Sequence, residues 1–168
     1  MANTFTKIAS VTVGSGGASS IDFTDIPNLY TDLILKGSAR GSVGSGALVV
    51  NIALNGSTTG FTDRYLEGSG SAAGSYTDQP RMVGLANGSS TTANTFSNFE
   101  TYFPNYTSSN NKSFSADIVQ ETNASVAYME LQAGLWSNTS AITSMSLTLN
   151  SGNFVQYSSV TLYGIKNS

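Results

Sequence analysis

The stretch Ala47-Leu-Val-Val-Asn-Ile-Ala-Leu-Asn55 decides the fold class. In an extended chain Leu48, Val50, Ile52 and Leu54 fall on one face, and Asn51 and Asn55 on the other. Period-two alternation of this kind is the mark of a strand with one buried face. Ser146-Leu-Thr-Leu149 repeats it, with Met145, Leu147 and Leu149 inward. Further strands are predicted over Phe5–Val13, Thr31–Ala39, Phe96–Phe103, Ser113–Val119, Val126–Leu135 and Val160–Ile165. Clusters of Gly, Ser and Asn separate them, at Gly14–Ser20, Gly41–Gly46, Gly68–Ser75, Asn87–Thr92, Thr107–Asn111 and Ser151–Asn153. Short alternating strands with turn signals between them imply an all-β fold, a β-sandwich or a barrel, of which an antiparallel β-sandwich is the one expected. No segment carries a helical stripe; Phe61–Gly68 could make at most a short helical turn, and none is expected.

The rest of the chain fits one such domain over residues 1–168, with residues 1–4 and 166–168 as ends free to make contacts. Its 27 Ser, 19 Thr, 15 Asn and 17 Gly make up almost half of the 168 residues. Eight Phe, eight Tyr and one Trp supply the apolar surface that a disordered chain lacks. Charged residues are 10% of the chain and the net charge is −3. The seven Lys and Arg are scattered singly, so no basic stripe is available to neutralise phosphates, and no nucleic-acid partner is expected. A membrane span needs about 20 mostly apolar residues. The best apolar run ends at Leu54 and is broken by Asn51, so no membrane partner is expected. The opening residues lack the apolar stretch of a secretory signal, which predicts synthesis in the cytoplasm.

Histidine and cysteine are absent. That excludes Ser-His-Asp and Cys-His catalysis, His/Cys zinc sites, disulfides, Fe–S clusters and thiol chemistry. Four carboxylates on or near strands, Glu100, Asp117, Glu121 and Glu130, could supply a glycosidase pair, although most acids in such a chain serve the surface. Ser109-Asn-Asn-Lys112 matches Ser-x-x-Lys but sits in a polar turn rather than at a helix start. The glycine stretches at 41–46 and 68–74 have the wrong spacing for phosphate loops. Asp22 and Asp25 flank a loop and read as turn-capping residues rather than calcium ligands. Six Asn-x-Ser/Thr sequons, at Asn55, Asn87, Asn105, Asn111, Asn123 and Asn138, follow from composition. Trp136 and the tyrosines read first as core or interface residues and second as sugar-stacking surfaces. No enzyme, cofactor or metal is expected.

Three stretches carry a resemblance. They are Ile26-Pro-Asn-Leu-Tyr-Thr-Asp-Leu-Ile-Leu-Lys-Gly-Ser-Ala-Arg40, Phe99-Glu-Thr-Tyr-Phe-Pro-Asn-Tyr106, and the C-terminal run of Gly134-Leu-Trp136, Ala141-Ile-Thr143, Gly152-Asn-Phe154 and Val160-Thr-Leu-Tyr-Gly-Ile165. Together they resemble the small virion structural proteins of tailed phages, especially phages of cyanobacteria and other aquatic bacteria. The resemblance spans about residues 20–166 and rests on strand and turn residues, so it brings no catalytic residue. It implies a jelly-roll-like capsid decoration (cement) protein on the outer surface of the virion. The implied partner is the major capsid protein, and the implied assembly a homotrimer. A tail-fibre or tail-associated module that binds host glycans is the alternative. Loop aromatics and arginines make good anchors, which selects Phe61, Arg64, Tyr65, Arg81 and Tyr106 as contact residues.

Overall fold

A computed structural model describes residues 4–44, 46–123 and 127–166. The described residues form strands β1 (Phe5–Thr12), β2 (Ser20–Phe23), β3 (Asp32–Ala39), β4 (Ala47–Leu54), β5 (Phe61–Gly68) and β6 (Ala73–Tyr76). They continue with β7 (Met82–Asn87), β8 (Ser97–Phe103), β9 (Lys112–Gln120), β10 (Tyr128–Trp136), β11 (Met145–Leu149) and β12 (Ser159–Ile165). Eight strands make one sheet in the order β1-β12-β3-β8-β9-β10-β5-β6, and four make the other, β2-β11-β4-β7. All pairings in both sheets are antiparallel. The sheets pack face to face as a β-sandwich.

The alternation of residues 47–55 holds: Leu48, Val50, Ile52 and Leu54 are buried. Met145, Leu147 and Leu149 are buried beside them on β11. From the large sheet, Leu33, Leu35, Phe99, Phe103, Phe114 and Ile118 face the same core. Phe61–Gly68, which no strand prediction covered, forms strand β5. Its inward positions include Asp63 and its outward ones Leu66, so its alternation carries no simple apolar stripe. Strand β7 is buried at all six positions and therefore shows no alternation at all. Strands β2 and β6 are four residues each, too short to carry a pattern. Val126, expected to open the strand that became β10, lies outside the described residues, as do positions 1–3, 167 and 168 of the chain ends.

One ring fastens the two sheets. Phe99 on β8 lies directly opposite Gly37 on β3, and its ring covers that glycine, where a Cβ would overlap the ring tip. From the other sheet, a Cβ on Gly84 of β7 would sit 2.5 Å from Phe99 Cδ1. The ring thus occupies space that two missing side chains provide. Phe114 covers Gly134 on β10 in the same way.

The small sheet meets the large one chiefly where β7 crosses β8, β9 and β3, with β2 near β1 at the other end. Four strands cannot cover eight. Strands β10, β5 and β6 therefore extend beyond β7, the edge of the small sheet. The loop between β7 and β8 is held separately by Arg40, whose guanidinium donates to the carbonyls of Ser89, Thr91, Thr92 and Thr95.

Gly84→Ala is expected to destabilise the protein by about 1–3 kcal/mol through overpacking. Phe99→Ala should cost about 3–5 kcal/mol through cavity formation. The two losses should be strongly non-additive in urea unfolding, since both report the same contact. Additive losses would show that Gly84 is not matched to the Phe99 ring.

Candidate functional site

The overhanging strands reverse the usual polarity of a sandwich. On β10, Glu130, Gln132 and Trp136 point inward and are buried, whereas Met129 and Leu131 point outward. On β5, Asp63 and Tyr65 point inward and Leu66 outward. Leu66, Met129 and Leu131 are 58%, 63% and 56% exposed. Leu131 and Leu66 are direct cross-strand partners, so the exposed apolar groups form one patch.

Register fixes what surrounds the patch. Lys36, Glu100, Asp117, Leu131, Leu66 and Ser75 are successive partners across six strands. One end of this row is charged and the other apolar. Lys36 Nζ lies 2.6 Å from Glu100 Oε2 with both side chains about half exposed. Such a surface pair contributes only about 0–1 kcal/mol to stability. Asp117 faces Glu100 directly and adds like charge. A shallow groove of about 400 Å³ runs through this surface, lined by Arg64, Leu66, Tyr102, Asp117 and Leu131 among others.

The inner face of the overhang is polar and is covered by the segment between β6 and β7. Gln132 Nε2 donates to the Gln79 carbonyl at 3.0 Å, and the Gln79 N–H donates to Asp63 Oδ2 at 3.1 Å. The Tyr65 hydroxyl donates to Asp78 Oδ1 at 2.8 Å. Burial and the Asp78 hydrogen bond push the Tyr65 phenol up. Glu130 is pushed up to about 7, first by burial and then by the charges of Glu67 and Asp78.

The structure separates the residues that the sequence singled out. Of the four carboxylates, Glu100 and Asp117 share the outer face, whereas Glu130 lies on the opposite face of the sheet. Glu121 caps a turn, accepting from the N–H groups of Thr122 and Asn123 at 2.8 and 2.6 Å. Lys112 is buried and its Nζ donates to the carbonyls of Ser108 and Asn110, so it closes the turn that contains Ser109. Burial lowers its pKa. Asp22 accepts from the Ser20 hydroxyl at 2.6 Å, and Asp25 is a turn residue with φ of 54°.

Among the contact residues expected from sequence, Arg64 is exposed on the groove. Phe61 is half-buried and stacks on Trp136 with ring centroids 6.1 Å apart. Arg81 is half-buried and its Nη1 donates to the Ile52 carbonyl at 3.3 Å. Tyr65 is buried, and Tyr106 is wholly buried with its hydroxyl on the Pro27 carbonyl, so neither offers a surface. Trp136 is 1% exposed and serves the core, which removes it as a sugar-stacking platform. Sequence reasoning missed Leu66, Met129 and Leu131. Their alternation is visible in the chain, but an alternating strand does not reveal which face is covered.

Comparison with known proteins adds no relative. No protein-family model, no curated protein and no solved structure matches the chain.

Glu130 should leave a signature in stability. Its folded pKa is raised from 4.5 to about 7, so the folded state binds the proton more tightly than the unfolded chain. Stability therefore falls as pH rises through that window and stays lower above it. Glu130→Gln is expected to match the wild type below the window and to exceed its Tm above it. A difference between the two proteins that does not vary with pH would contradict this assignment.

Proposed function

We propose that the chain is a phage capsid decoration protein, which binds the outside of the head shell and stabilises contacts between major capsid protein subunits. The single observation that carries a docking role is the reversed polarity of β5 and β10. Leu66, Met129 and Leu131 face outward while Asp63, Glu130 and Gln132 face inward. Isolated exposed leucines are ordinary, but a contiguous apolar patch rimmed by charge is the composition of a protein-binding surface. The capsid as partner rests on the resemblance of the three sequence stretches, as do the jelly-roll-like strand connectivity and the homotrimer.

Physical requirements agree with this reading. A cement protein works by surface contact and needs no nucleophile or cofactor. Loops rich in Ser, Thr and Asn offer many hydrogen bonds at modest desolvation cost. A net charge of −3 limits repulsion among crowded copies. The anchors are then Leu66, Met129 and Leu131, with Arg64 at the rim.

The double substitution Leu66→Glu with Leu131→Glu tests it. Both side chains are exposed, so folding should survive. Co-sedimentation with shells of the major capsid protein should weaken at least about tenfold, as expected for loss of central anchors. Quantitative mass spectrometry of purified particles should find a copy number comparable with that of the shell subunit, as expected of a protein that covers the shell. Unchanged binding by the double variant would move the contact surface elsewhere. A handful of copies per particle would place the protein in the tail, and none would remove the virion reading.

A further inference from the structure

The mouth between β7 and the overhanging strands holds a cavity of about 460 Å³. That volume lies in the range of small-ligand sites. Glu130, Glu67 and Gln120 build its polar side, and Met82, Leu85 and Val49 its apolar side. Gln120 and Glu130 are 1% and 4% exposed. Gln120 Oε1 and Glu130 Oε2 have no hydrogen-bond partner among the described residues. The Gln120 amide cannot be turned round to cure this. Its Nε2 donates to the Gly46 carbonyl at 2.7 Å, and a reversed amide would set oxygen against oxygen. Gln120 Oε1 is therefore an unpaired acceptor, and Glu130 Oε2 is one when the carboxyl is ionised. Leaving a buried acceptor unpaired costs about 1–3 kcal/mol, so a donor-bearing occupant has much to gain here.

The charge around the cavity is of one sign. Glu67 on β5 and Asp78 in the segment after β6 both act on Glu130. The other titratable lining groups are Tyr65, whose hydroxyl is committed to Asp78, and Tyr128. Among the described residues no Lys or Arg lines the cavity. Arg40 reaches Thr91 at the rim, but its guanidinium is committed to oxygens of the β7–β8 loop. A bare metal ion is the poorer fit. Calcium takes six to eight oxygen ligands. Among the described residues no three Asp or Glu side chains gather to hold a metal ion. One wall is also apolar, which suits the methylene stem of an organic cation.

We propose that this cavity binds an ammonium or guanidinium group carried on a short methylene chain, with Glu130 as its counter-ion and Gln120 Oε1 as a further acceptor. The proposal does not depend on a capsid partner. Such a group can come from a free amine or from a Lys or Arg side chain of a partner protein. Binding is coupled to pH, because the cation needs Glu130 ionised. With a pKa of about 7, the ionised fraction is about tenfold smaller at pH 6 than at pH 8, and apparent affinity scales with that fraction.

Calorimetric titration of the full chain tests this with butylguanidinium and butylammonium, and with butanol as the neutral control. Both cations should bind, butanol should not, and affinity should be about tenfold tighter at pH 8 than at pH 6. Glu130→Gln should weaken binding at least about tenfold and remove the pH dependence. Gln120→Leu should weaken binding while keeping the pH dependence, which preserves the test if the first variant folds poorly. Equal binding of N-acetylarginine methylamide and butylguanidinium would assign the site to a partner's basic side chain. Binding of the free amines alone would assign it to a small amine. No heat with either cation, binding of butanol as tight as theirs, calcium binding in their place, or full affinity in Glu130→Gln would each overturn the proposal.

Discussion

A four-stranded sheet cannot cover an eight-stranded one, and the functional surface follows from that mismatch. The small sheet ends at β7, which lies over β8 and β9. Beyond it, β10, β5 and β6 have no apolar sheet to face. An apolar inner side there would gain little from burial, because burial is roughly proportional to the apolar area that is actually covered. The inner side instead sets Asp63, Glu130 and Gln132 among Tyr65 and Trp136, and hydrogen bonds from the segment after β6, through Gln79 and Asp78, close over it. Leucine and methionine lie on the other side of the same strands, in water.

That arrangement is costly for an isolated domain. Buried polar groups need partners, and Glu130 Oε2, Gln120 Oε1, Gln132 Oε1 and Asn87 Oδ1 have none among the described residues. Exposed apolar area adds a tendency to associate. Both features make sense for a protein whose working state includes further contacts. The outer patch gains when a partner surface covers it. The inner cavity gains when a hydrogen-bond donor enters it. The core under β7 is by contrast fully committed, with the Phe99 ring seated between Gly37 and Gly84.

The sandwich was legible where burial is one-sided. Residues 47–55 and 145–149 sit under the centre of the fold, and their alternation reports the buried face directly. It became illegible where cover is absent or complete. Strand β7 is buried throughout and loses its alternation. Strand β10 alternates clearly, yet Met129 and Leu131 face solvent because the covering layer stops short. No local rule reads the width of the opposite sheet. The candidate site was legible only in part for the same reason. Arg64 and Glu130 stood out as individual residues, but their assignment to opposite faces of one sheet depends on long-range pairing. Tyr106 and Trp136 drew attention as aromatics and proved to be core, which is the commoner fate of large rings.

The most direct test of the reversed face is hydroxyl-radical footprinting of the protein free and on intact particles. Leu29 and Tyr157 are exposed outside the patch and serve as internal references. The account predicts that labelling of Leu66, Met129 and Leu131 drops sharply on the particle while Leu29 and Tyr157 keep theirs. Unchanged labelling at the three patch residues, with protection at Leu29 or Tyr157 instead, would contradict it.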